Sequence, residues 1–139
     1  MKKDNIRDYA TAAFATYARY GRRTEAELRD YIYHKELQRY DRPDIAVKKA
    51  EEEVNRNYAL LMDVAAVDKT LDILSKCGDP NRLKVVESVY LDCSVLKKQE
   101  ISRRVRKIAY ELPVGERTVY RWLKEARLMF AELRSLNVS

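Results

Sequence analysis

The side chains that usually carry enzyme chemistry are scarce and scattered. There is one histidine, His34, and two cysteines, Cys77 and Cys93, sixteen residues apart. A zinc site takes three or four protein ligands, so no metal site is expected, and without an export signal both cysteines are read as semi-buried, reduced thiols. The three glycines, Gly21, Gly78 and Gly115, are isolated and build no phosphate-cradling loop. Glu51, Glu52 and Glu53 are consecutive; on a helix such neighbours point different ways and do not make a two-carboxylate site. No catalytic residue and no cofactor is expected, and the chain is not read as an enzyme.

The residues whose spacing does suggest chemistry are cations. Arg117 and Arg121 stand four apart, and Arg103, Arg104, Arg106 and Lys107 form a run interrupted only by Val105. A guanidinium can bond O6 and N7 of guanine together, and cations in a row neutralise phosphates. The candidates for base contacts are Arg117, Arg121 and Glu116. Those for the DNA backbone are Thr118, Tyr120, Lys124, Arg103, Arg104, Arg106 and Lys107, with phosphate contacts fixing register rather than sequence. The charge distribution agrees. The 139 residues carry a net charge of +6, and all of that excess lies between Leu96 and Ser139. A basic segment joined to a neutral one implies two kinds of partner, one of them a polyanion.

The elements that must position these residues read as helices. Glycine and proline number three each, too few for the turns of a strand-rich fold. Ile6, Tyr9, Ala10, Ala13, Phe14 and Tyr17 recur at helical spacing and predict a first helix over Asn5 to Tyr20, stopped by Gly21. Thr24 and Glu27 have the capping-box spacing and open a second helix to about Arg39, with Leu28, Tyr31, Ile32 and Leu37 inward. From Pro43 to Cys77 no breaker intervenes, and Val47, Ala50, Val54, Tyr58, Leu61, Val64, Ala65, Leu71 and Leu74 trace one stripe. This predicts a single central helix of about 35 residues, roughly 50 Å long, with Asp68 at a dimer seam or facing water. Asp79 and Pro80 open another helix as N-cap and N1, burying Leu83, Val86, Val89 and Tyr90. Ser94 is placed to cap the next, which Pro113 stops near Glu111. The last helix runs from Gly115 to about Leu136. The fold class is all-α, a helical bundle with one long central helix and a C-terminal helix-turn-helix. Residues 1–78 form an oligomerisation or scaffold region and 79–139 the DNA-binding region.

The motif itself spans Ile108 to Leu123. A helix-turn-helix needs apolar residues around its turn, two on the inner face of its second helix and a small residue where the helices touch. Ile108, Leu112, Val114, Val119 and Trp122 meet the first two requirements and Ala109 the third. Trp122 is read as core rather than as a base-stacking residue, and His34 as an inert surface residue. Tyr9, Tyr17, Tyr31 and Tyr58 sit at core spacing. Pro113 occupies the turn position where glycine usually supplies positive φ, so a turn of different shape is expected.

The stretch Glu116 to Ala126, Glu-Arg-Thr-Val-Tyr-Arg-Trp-Leu-Lys-Glu-Ala, resembles the recognition helix of sigma-70 region 4. Together with Val85 to Asp92 and Ala131-Glu132-Leu133 it is similar to phage late transcription regulators of the ArpU and RinA type, over about Asn81 to Leu136. The resemblance implies a sequence-specific DNA-binding regulator of phage or prophage origin that sets the helix near 115–127 into the major groove. It departs from region 4 in the seventeen or so residues between Leu91 and Ala109, which imply a longer first motif helix. The expected partners are double-stranded DNA and a second copy of the chain, with RNA polymerase a further candidate. No membrane span is expected, and a cytoplasmic location is. Two alternatives stand beside this reading: a sigma-like factor or polymerase-binding adaptor, and a small terminase-type packaging protein.

Overall fold

The computed structural model describes residues 2–92 and 98–136; Cys93 and the proposed cap Ser94 lie outside them. Seven α-helices are present and no strand among the described residues: α1 (Lys3–Arg19), α2 (Glu25–Leu37), α3 (Pro43–Arg56), α4 (Tyr58–Ser75), α5 (Pro80–Val86), α6 (Lys98–Glu111) and α7 (Glu116–Leu133). A π-helical turn, Glu87–Leu91, continues α5. None of these helices is long and apolar enough to cross a membrane.

Local rules set most boundaries. Gly21, at φ 76°, follows α1, and the Arg22 amide reaches back to the Tyr17 carbonyl at 3.0 Å. Thr24 and Glu27 form the reciprocal capping box. Asp79 caps α5 through the Asn81 amide at 3.0 Å, with Pro80 at the first helical position.

The single long helix is overturned: α3 ends at Arg56 and α4 begins at Tyr58. The break is Asn57, with φ −98° and ψ 22°. Its Nδ2 donates to the Glu53 carbonyl at 2.8 Å, and its own carbonyl accepts from Leu61 at 3.0 Å. The Glu53 carbonyl thus accepts both the Asn57 amide, at 3.2 Å, and the Asn57 side chain at one helix end while the next helix starts. Packing supplies the reason. Ala46, Ala50 and Val54 turn α3 onto α2, whereas Leu61, Val64, Val67 and Leu74 sink α4 against α1, α5 and α7. One straight helix cannot serve both sets of neighbours. Val47 and Tyr58, counted in the apolar stripe, are consequently exposed, as is Tyr31.

The core is one cluster spanning both ends of the chain. Phe14 of α1 stacks on Tyr90 at 5.4 Å between centroids and lies 6.0 Å from Phe130 of α7. Each such ring, fully buried, contributes about 2–3 kcal/mol. Asp68 is half-buried and accepts the Tyr17 hydroxyl at 3.2 Å. Burial first, and the Asp68 charge second, push that hydroxyl up to about 12. The π-helical turn is clamped by Arg22, which reaches Glu87 at 3.1 Å and Asp92 at 3.2 Å.

Candidate nucleic-acid interface

Helices α6 and α7 are joined by residues 112–115 and pack through Val105, Ile108 and Ala109 on one side and Val119, Trp122 and Leu123 on the other. Ala109 is 6 % exposed, a small residue on the buried face of α6. Trp122 is buried, as its place in the apolar register required; its ring N–H has no hydrogen-bond partner among the described residues, and the Arg82 guanidinium lies 5.8 Å from the ring centre.

The connection has a shape the proline did not foretell. Val114 donates to the Ala109 carbonyl at 3.1 Å, the six-residue bond of a Schellman turn. Pro113 holds the positive-φ position at 24°, although a pyrrolidine ring favours about −65°. The turn is therefore closed by the Schellman bond around Pro113, at a φ its ring disfavours.

On α7, Glu116, Arg117, Tyr120, Arg121 and Lys124 are exposed and Thr118 is half-buried. Glu116 sits in the first turn, where its charge complements the helix dipole. Arg117, Arg121 and Lys124, spaced by four and three, share one outward stripe. On α6, Arg103, Arg106 and Lys107 are exposed, and Tyr110, at 88 % exposure, extends their row. Sequence reasoning missed Tyr110; its spacing of seven from Arg103 is the signal that would have found it. Arg104 differs from the rest of its run. It is half-buried and donates to the Val89 carbonyl at 3.1 Å, joining α6 to the π-helical turn.

The electrostatic feature of this surface is how little of its charge is matched. Among the described residues no carboxylate pairs with Arg106, Lys107, Arg117, Arg121 or Lys124. The sequence explains most of it. Neither Arg106, Arg117 nor Lys124 has an acidic residue three or four positions away. Arg121 does, in Glu125, but that carboxylate pairs with Arg82 of α5. Lys107 has Glu111 at four, without an ion pair between them. Arg103 is the exception in the row, bonded to Glu100 at 2.6 Å.

Among the described residues no three His, Cys, Asp or Glu side chains gather into a possible metal site. The Cys77 thiol is exposed rather than semi-buried, and His34 is exposed beside Tyr33. Compared with protein-family models, with curated proteins and with solved structures, the chain matches none.

Proposed function

We propose that this chain is a sequence-specific regulator of transcription, cytoplasmic and of phage or prophage origin, in which α6 and α7 act as a helix-turn-helix on double-stranded DNA. The observation that carries the reading is the row of unmatched cations on the outward faces of α6 and α7. Cations with no internal partner hold small counter-anions, and exchanging the condensed ions of a duplex for them drives binding. Arg117 and Arg121, near the start of α7, are the base readers, with Glu116 beside them. Thr118, Tyr120, Lys124, Arg103, Arg106 and Lys107 meet phosphates. Arg104 acts at one remove, holding α6 to the turn before it.

A protein partner is supported by a separate observation. Tyr31, Ile45, Val47 and Tyr58 expose apolar surface on α2, α3 and the start of α4, and a second copy of the chain is the partner we assign there. RNA polymerase at that surface would make the chain a sigma-like adaptor instead, which pull-down of polymerase subunits detects. A ring-sized oligomer would favour a packaging protein.

The test is selection of bound duplexes from a random pool, followed by two substitutions. Arg121→Ala is expected to cost about 1–3 kcal/mol on the selected site and relax the choice of one base, with little change on random duplex. Lys107→Ala should weaken both duplexes alike and flatten the salt slope by about one unit. Equal losses on both duplexes for Arg121→Ala would leave a non-specific basic face and remove sequence reading from the proposal.

A further inference from the structure

A cleft of about 760 Å³ opens between α1, α6 and α7, beside the outward stripe of α7 but distinct from it. Its apolar wall is made by Ala12, Ala15, Ile101 and Leu123, and its cations are Arg7, Arg19, Lys98 and Arg127. Asp8 is the one carboxylate in the lining, and it is bound to Arg7 at 3.2 Å. Arg7 also reaches Asp4, at 3.5 Å, so its charge is spent locally. Arg127 donates to the Tyr90 hydroxyl at 2.8 Å and meets no carboxylate among the described residues. Arg19 and Lys98 have no carboxylate partner among the described residues. Three cations thus remain unmatched around an apolar wall.

We infer that this cleft binds a small amphipathic anion, a carboxylate or phosphate carried on an acyl or aromatic body. Such a ligand lays its apolar part against Ala12, Ala15 and Ile101, over the buried Leu123, while its head meets Arg19, Lys98 and Arg127. The size fits: small-molecule sites occupy about 300–1,000 Å³, are mostly apolar and carry a few converging polar groups. A DNA backbone is fully charged and leaves the apolar wall without a counterpart. The inference stands without the DNA reading, although Tyr120 lines the cleft from α7 and would transmit occupancy to that surface.

Decanoate, kept below its micelle concentration, is the probe, followed by amide chemical shifts of the full chain. The expected result is saturable binding with the largest shifts at Ala12, Ala15, Ile101 and Leu123. Decanol, which lacks the charge, should bind at least tenfold more weakly, and inorganic phosphate should not compete at equal concentration. Arg19 and Lys98 are exposed, so Arg19→Gln with Lys98→Gln should leave the fold intact. This pair should weaken decanoate about tenfold and leave decanol unchanged. Equal binding of decanol and decanoate would reduce the site to a greasy pit and overturn the proposal. So would shifts scattered over the surface, or competition by phosphate alone. A duplex that shifts Ala12 and Ala15 while decanoate does not would assign the cleft to DNA, which overturns this inference and leaves the regulator reading standing.

Discussion

Two helix pairs of similar size lie at opposite ends of the chain and use their charges in opposite ways. Helices α2 and α3 pack together across the link at residues 38–42, and α6 and α7 across residues 112–115. Both pairs bury alanine, Ala46 and Ala50 in one and Ala109 in the other. In the first pair, five of the seven Lys and Arg residues from Glu25 to Arg56 are ion-paired. Arg29 meets Glu25 at 2.6 Å, Arg39 meets Glu36 at 3.2 Å, Arg42 meets Asp44 at 3.1 Å, Lys49 meets Glu52 at 3.7 Å, and Arg56 meets Glu53. In the second, the outward cations of α7 have no such partners. Exposed pairs are each worth only about 0.2–1 kcal/mol, so the contrast matters little for stability. It decides the field: one surface is neutralised within a few ångströms, and the other projects its charge outward. Positive charge alone therefore does not distinguish the two pairs; whether an acid is paired with it does.

The largest expected effect breaks the contrast directly. Removing both Arg117 and Arg121 as alanines should lower affinity for a selected duplex by about 2–4 kcal/mol, from the ~1–3 kcal/mol of each good base contact. Removing Arg39 and Arg56 the same way should change it by less than about 0.5 kcal/mol. Equal losses in a filter-binding titration would dissolve the distinction between the two pairs.

Overpacking comes next. Ala109→Leu and Ala50→Leu should each destabilise by about 1–3 kcal/mol in urea unfolding, because both alanines sit at a tight contact. Only the first should also weaken DNA binding measured well below the unfolding midpoint. An Ala109→Leu chain of unchanged stability and affinity would show that the helices of the second pair do not meet where described.

A smaller gain is expected from Pro113→Gly. A residue held in a sparsely populated conformation costs about 1–3 kcal/mol, and glycine returns part of that through its looser unfolded chain. A net stabilisation of about 1 kcal/mol, seen as a higher Tm, is expected; a lower Tm would mean that the proline ring suits its turn.

The smallest effect is a control outside both pairs. Since the Tyr17 hydroxyl rises from 10.0 to about 12 in the folded chain, its stabilising contribution is complete below pH 10 and is lost as pH climbs through 12. The stability of the native chain relative to Tyr17→Phe should be flat from neutral pH to about pH 9 and fall above it. DNA binding at neutral pH should not distinguish the two.

What could be read from residues alone depended on how local the cause was. The capping box at Thr24 and Glu27, the positive φ of Gly21 and the Asp79-Pro80 start are local and were legible. So was the buried face of α7, because Val119, Trp122, Leu123 and Ala126 recur at helical period. The break at Asn57 was hidden, since asparagine does not forbid a helix and the apolar period continues across it. Its cause is the different direction in which α3 and α4 must face. Arg104 was hidden for a similar reason: the carbonyl it satisfies belongs to Val89, fifteen residues away. In the candidate interface the residue types were legible, while their lack of partners was only half so. It needed the observation that Arg82 takes Glu125.

The far end of α7 carries a consequence for portability. Arg134, just past that helix, donates to Asp63 of α4 at 2.7 Å, and Asp63 accepts Tyr9 of α1 at 2.8 Å. Phe130, one turn earlier, stacks on Tyr9 at 6.1 Å. Residues 98–136 grafted onto a foreign scaffold would bring a bare phenyl ring and a stranded guanidinium, both shaped to helices left behind. The α6–α7 pair and the body that holds it can be exchanged only together. On the reading proposed for α7, new DNA preferences would be reached by changing its outward side chains in place, not by transplanting the helix.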